Sequence, residues 1–319
     1  MLVKKTPLEQ DRRQQLKNGI DSAKEFDKIK RIMGRGACCY HPLMKKYGTY
    51  TRKSDSRRIQ RYRCHNCKKT QSNATFDPAY GQKKRRINHP LALLLASNMS
   101  MRRAAIYLQT TRKTVARKLR YIADQCRVNL EKAKLDIPPI QAIQFDELQT
   151  IEHSKCKPLA IAMVVDPKNR KILGFEVSRM PAAGHLAKIS RKKYGPRPDK
   201  RQAGLTALLN TIRPILDQNV DVLSDFCPFY NSTVKSCLPK ANHRQVLGEK
   251  GCVAGQGELK KVGKDPLFYI NHTFAMLRAN INRLIRRTWC TTKEPERLKD
   301  HLMIYTWVHN AKLLSVRNS

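Results

Sequence analysis

Acidic side chains are scarce in this sequence. Its 319 residues hold 25 Asp and Glu against 64 Lys and Arg, a formal charge of +39 with His neutral. A surplus of that size repels itself in a compact monomer, so the shortage of acid asks for a polyanionic partner. Nucleic acid fits, because neutralised phosphates release condensed counterions. An anionic membrane is the other candidate, but long apolar runs are missing as well. None approaches the roughly 20 residues that a spanning helix needs. The opening segment, MLVKKTPLEQDRRQQLK, is basic and lacks an apolar core, which argues against a secretory signal. No internal repeat is visible. The ten cysteines are too sparse for a disulfide scaffold, with four between positions 38 and 67 and six scattered singly. They read as reduced cytosolic thiols with one cluster set aside for metal. The apolar content of 40% supports a real core and argues against a ribosomal protein or a non-specific coat.

What is present divides the chain into a multidomain α/β protein. Residues 1–36 form a polar arm, and residues 37–80 carry the clustered cysteines. GQKKRRIN at 81–88 is a basic linker, and residues 88–136 show apolar spacing of helical period. Pro138-Pro139 ends that region, since neither proline continues a helix. Strand patterns follow over 140–148, 157–165 and 170–178, the last two joined by a turn at Asp166-Pro167-Lys168-Asn169. A basic segment, RKKYGPRPDKRQ, leads to an expected helix over 201–218 and strands at 220–225 and 242–247. The Gly-rich stretch 248–264 is expected to be a mobile loop. From Pro266 the pattern is helical, with LFYINHTFAMLRANINRLIRRTW as one helix and ERLKDHLMIYTWVHN as another. Asp166 is read as a turn residue, and Trp289 and Trp307 as filling between the late helices.

Two cysteine pairs offer soft ligands at a two-residue gap. Cys38, His41, Cys64 and Cys67 form the expected tetrahedral zinc set of a zinc ribbon, with Cys39 able to replace Cys38. The 22 residues between the pairs read as the ribbon's β-hairpin. Further on, MRRAAIYL and TRKTVARKLRYIADQ are separated by Gln109-Thr110, the pattern of a helix-turn-helix. Ala105, Leu108, Val115, Leu119 and Ile122 can share one core. Thr111, Arg112, Lys113, Arg117 and Arg120 stay outside, where a second helix meets base edges and phosphates in a major groove.

Asp146 in QFDEL and Asp225 in VLSDF each end an apolar strand pattern. A carboxylate there costs desolvation unless it binds something positive. On neighbouring strands the two could hold Mg²⁺ or Mn²⁺ through hard oxygens and act on a phosphodiester. Glu147 follows Asp146 and should point to the opposite face of its strand.

The motifs RYRCHNC, RRAAIYLQTTRKTVARKL, FDELQT, SDFCPFY and INHTFAMLRANINRLIRRTW, spread over about residues 37–310, resemble bacterial insertion-sequence transposases. The likeness is to the insertion element one-like group and a related group with a similar zinc ribbon. It implies an RNase H-like mixed α/β catalytic core over 140–319 with C-terminal helices, in which Asp146 and Asp225 are the magnesium ligands. The implied activity is metal-dependent strand cleavage at element ends and joining to target DNA. It further implies a homo-oligomer on DNA in the bacterial cytoplasm, associated with the nucleoid. The family's third acid stands on the late helix, with a basic residue seven positions on. Here that helix carries Asn271, and Arg278 is seven residues further, the expected phosphate contact; Glu258 competes with Asn271. The alternative to a transposase is a non-catalytic sequence-specific DNA-binding protein, decayed or domesticated. A nuclease or resolvase of the same core differs only in substrate.

Overall fold

The computed structural model describes residues 44–53, 56–76, 79–135, 137–247, 265–285 and 289–313. The arm at 1–36, the expected ligands Cys38, Cys39 and His41, and the 248–264 stretch with Glu258 lie outside the described residues. The chain divides into two compact units, Met1–Leu91 and Ala92–Ser319.

The first unit holds a three-stranded antiparallel sheet, β1 (Met44–Thr51), β2 (Arg58–Cys64) and β3 (Thr70–Ser72), followed by the short helix α1 (Asn73–Phe76). β1 pairs with β2 from Met44 opposite Cys64 to Thr51 opposite Arg58. The register slips between Lys46 and Thr49, where Gly48 takes φ +71°, a left-handed value that suits glycine at a bulge. β3 adds a strand beyond the hairpin expected from the sequence. Along β2 only Cys64 is buried, so this sheet has little apolar surface to hold it together.

Helix α2 (Asn88–Leu95) spans the division between the units. In the second unit, α3 (Met101–Tyr107) and α4 (Arg112–Lys134) pack against each other across a turn in which Gln109 has φ +48°. Each begins on a side-chain cap: Ser100 Oγ accepts from Arg103 N–H, and Thr111 Oγ1 accepts from Thr114 N–H at 3.2 Å. α4 buries Val115, Lys118, Leu119, Ile122, Ala123 and Cys126, a three- and four-residue spacing that puts one stripe inward.

The sheet of this unit runs β6 (Ile172–Arg179), β5 (Ser154–Val165), β4 (Ile140–Glu152), β7 (Leu216–Asp225), β8 (Asn242–Val246). The first three are antiparallel, and β4, β7 and β8 are parallel. It is a mixed α/β architecture. β5 is buried continuously from Leu159 to Val165, as a central strand covered on both faces should be. Helices α5 (Leu186–Tyr194), α6 (Arg201–Ile212), α7 (Tyr230–Cys237), α8 (Phe268–Asn280) and α9 (Pro295–Val308) complete the unit, and α9 packs along α4. Of the segment expected to be a helix-turn-helix, residues 88–91 fall in the first unit and the rest in the second.

Three expectations need correction. The helix at 201 stops at Ile212, because Pro214 has no N–H to continue it, and β7 starts at Leu216. The late helix stops at Asn280 instead of running to Trp289. Asn280 C=O accepts from Asn98 N–H at 2.7 Å, and Ile281 turns extended at φ −112°, ψ 106°. A tertiary hydrogen bond therefore takes the carbonyl that another turn of helix would have used. Trp289, beyond the break, is fully exposed (101%) and not a core residue, whereas Trp307 is half-buried on α9. The turn at Asp166 forms as expected, with Asp166 Oδ1 accepting from Lys168 N–H at 2.8 Å.

Candidate active site

β4 and β7 are hydrogen-bonded neighbours, and their pairing ends with Phe145 opposite Ser224. Asp146 and Asp225 are the next residue on each strand. The parallel register therefore brings both carboxylates side by side at the point where β7 ends and β4 continues without it. Each carboxylate is fixed by backbone: Asp146 Oδ1 accepts from Glu147 N–H at 2.6 Å, and Asp225 Oδ1 from Phe226 N–H at 2.7 Å. Each Oδ2 makes no hydrogen bond among the described residues.

Burial pushes the Asp146 carboxyl up to about 6, and the charge of Asp225 pushes the same way. The Glu147 N–H and the Tyr230 hydroxyl oppose that rise and do not cancel it. Two neighbouring carboxylates, each with an uncommitted oxygen, are a donor set that suits a hard divalent cation. Among the described residues no group of three or more metal-ligating His, Cys, Asp or Glu side chains occurs, so the pair stands without a third acid.

Residues alternate across β4. Gln144, on the face of Asp146, fastens α8: its Nε2 donates to Pro266 C=O at 2.8 Å, and its Oε1 accepts from Ile270 N–H at 3.2 Å. That clamp holds the first turn of α8 against β4, and Asn271, the next residue after Ile270, is exposed. The Asn271 amide donates to Asp265 Oδ2 at 2.9 Å, which leaves its carbonyl oxygen available. Arg278 lies seven residues, about two turns, further along α8 on the same side.

Glu147 points the other way, as its alternation requires. It meets Arg201 at the start of α6 at 3.6 Å, but Arg201 is engaged more closely by Asp199 at 2.7 Å. Burial therefore prevails and lifts the Glu147 carboxyl to about 7.

Sequence comparison returns no matching family model and no matching curated protein. Among solved structures the chain is similar to the Mos1 strand transfer complex, with 13% identity and a TM-score of 0.29 over 75% of this chain and 78% of that one. It is similar also to the catalytic domain of Mos1 mariner transposase, with 13% identity and a TM-score of 0.23 over 60% of this chain and 90% of that one. Likenesses this slight carry no weight for the chemistry of the site, which stands on its own geometry.

Tyr230 is the site residue that sequence reasoning missed. It is 2% exposed, its ring packs on Phe145 at 4.9 Å, and its hydroxyl donates to Asp146 Oδ1 at 3.5 Å. Its phenol is held well above the usual range, by burial first and then by the charges of Glu147 and Asp146. It is the last residue of the motif SDFCPFY, five positions after Asp225, and nothing in that motif assigned it a role. The expected DNA contacts Arg112, Lys113, Arg117 and Arg120 all lie on α4, and all four are exposed, outside the buried Val115–Leu119–Ile122 stripe. Among the expected zinc ligands, Cys64 ends β2 and Cys67 follows in a turn closed by Cys64 N–H donating to Lys69 C=O at 2.9 Å.

Proposed function

We propose that the chain is a DNA transposase with an RNase H-like core, cutting element ends and joining them to target DNA with the help of divalent metal. The observation that carries this reading is the pairing of Asp146 and Asp225 one step beyond the last register pair of two parallel strands. Asp146 and Asp225 are the residues that would hold Mg²⁺ or Mn²⁺, with Asn271 offering a neutral oxygen as third ligand. Such an ion, when bound, activates the attacking oxygen and stabilises the leaving one at a phosphodiester.

The protein's own side chains have the remaining tasks. The backbone N–H groups of Glu147 and Phe226 hold one oxygen of each carboxylate, which leaves the second oxygen of each to meet a cation. Tyr230 keeps the inner side of Asp146 dry and supplies a hydroxyl that favours its ionised form. Arg278 lies where it can meet a phosphate of the strand being cut. Arg112, Lys113, Arg117 and Arg120 would bind element-end DNA from α4. The first unit, short of apolar burial, would take its stability from zinc on Cys64 and Cys67 with Cys38 and His41.

The test is strand cleavage and transfer with the DNA that flanks the gene, assayed with Mg²⁺ or Mn²⁺. Asp146→Ala and Asp225→Ala should each abolish both steps while leaving DNA binding in place. Full activity in either variant rejects the enzyme reading, and binding without cleavage by the wild-type chain leaves a DNA-binding protein.

A further inference from the structure

Helix α5 and the tip of β5 carry a concentration of positive charge that the paired carboxylates do not use. β6 pairs with β5 only from Leu159, opposite Arg179, so the first residues of β5 have an open edge. α5 covers that edge: Ser190, buried on its inner side, donates its hydroxyl to Cys156 C=O at 2.7 Å. Arg197 pins the segment after the helix, donating to Glu152 Oε2 at 3.2 Å, Pro158 C=O at 3.2 Å and Met180 C=O at 3.3 Å.

The helix so fixed turns Lys188, Arg191 and Lys192 outward, on the face opposite Ser190 and one turn apart. Lys193 and Lys157 bring their ammonium groups over the ring of Tyr194, at 5.5 Å and 4.4 Å. Lys155 shares its strand face with Lys157. None of these six side chains makes an ion pair among the described residues. The nearby acids are already taken: Glu152 by Arg197 at 3.2 Å, and Asp199 by Arg201 at 2.7 Å. One aromatic ring offsets only part of the cost of gathering these cations, which leaves most of their mutual repulsion uncompensated.

We propose that this plate is a second DNA-backbone surface, separate from α4, which takes the phosphates of a duplex without reading its sequence. Cations spread over the outward face of a helix and the start of a neighbouring strand suit phosphate contacts, which position a duplex and carry no sequence information. A membrane surface is the weaker fit. A helix lying on lipid presents large apolar side chains outward, whereas α5 turns its polar face out and Ile189 is its only exposed large apolar residue. The proposal rests on the DNA-binding half of the proposed function and not on its chemistry.

The experiment uses the full chain with Lys188, Arg191, Lys192 and Lys193 all changed to Gln, and reads binding to a random-sequence duplex across a KCl series. Each lost phosphate contact should lower the slope of log K against log salt by about 0.9, so a fall of roughly 2 to 4 is expected, with weaker binding at low salt. An unchanged slope overturns the proposal. So does unchanged duplex affinity with lost binding to phosphatidylserine vesicles. Arg191→Gln with Lys192→Gln is the milder variant should the fourfold change unfold the chain, and it should give about half the effect. A chain that never cuts DNA can still pass this test, and a chain that cuts with an unchanged slope fails it alone.

Discussion

Replacing Asp146 by Asn keeps the shape and the oxygen that accepts from Glu147 N–H, and removes only the charge. In the folded protein this carboxyl rises from an ordinary 3.8 to about 6. At about 1.4 kcal/mol per pK unit the rise corresponds to about 3 kcal/mol against folding once both states are ionised. Water reaching the cleft lowers the figure to roughly 1–3 kcal/mol. The sign follows from proton counting. Between pH 3.8 and about 6 the folded chain holds more protons on this group than the unfolded chain, so wild-type stability falls as pH rises through that window and stays lower above it. Asn has no such dependence. Urea unfolding at pH 8 with chelator present should therefore find Asp146→Asn more stable than wild type by that amount, and the advantage should shrink on acidification and vanish below pH 3.8. Equal or lower stability of the Asn variant at pH 8 would refute the claim that burial makes the ionised Asp146 carboxylate costly to the fold.

Tyr230→Phe removes the hydroxyl that helps keep Asp146 ionised, so the rising limb of the pH–cleavage profile should move to higher pH; an unmoved profile would deny Tyr230 a positioning role. At Gly174 an added Cβ would stand 2.8 Å from Leu208 Cδ1 and 3.1 Å from Ile212 Cγ2. Gly174→Ala should cost about 1–3 kcal/mol in urea unfolding, and a neutral result would mean that α6 gives way easily. Native mass spectrometry should find one zinc per chain, lost in Cys64→Ser together with the near-ultraviolet signal of the first unit, and a metal-free, folded wild type would contradict this.

The neighbouring Asp146 and Asp225 were legible because their signals were local, two apolar strand patterns with a helix between, though only β7 ends on its Asp while β4 runs on to Glu152. The alternation that set Glu147 apart from Asp146 was equally readable, and the Arg201 contact follows it. Features decided by distant partners were not readable. The extension of β4 to Glu152 depends on His153 adopting φ +66° in the turn to β5. The end of α8 depends on Asn98, 182 positions earlier than Asn280 in the chain. Trp289 looked like core because the helix pattern ran through it, and it became exposed once that hydrogen bond ended the helix. Tyr230 was hidden because its value to the site comes from packing on Phe145, a contact between α7 and β4 that no spacing announces.

Mn²⁺ titration of the full chain by calorimetry, for wild type, Asp146→Asn and Asp225→Asn, tests the central claim most directly. Wild type should bind the ion, and either single substitution should remove most of that binding, because each carboxylate supplies half of the acidic donor set. Wild-type affinity retained in one of the two variants would contradict a shared metal site.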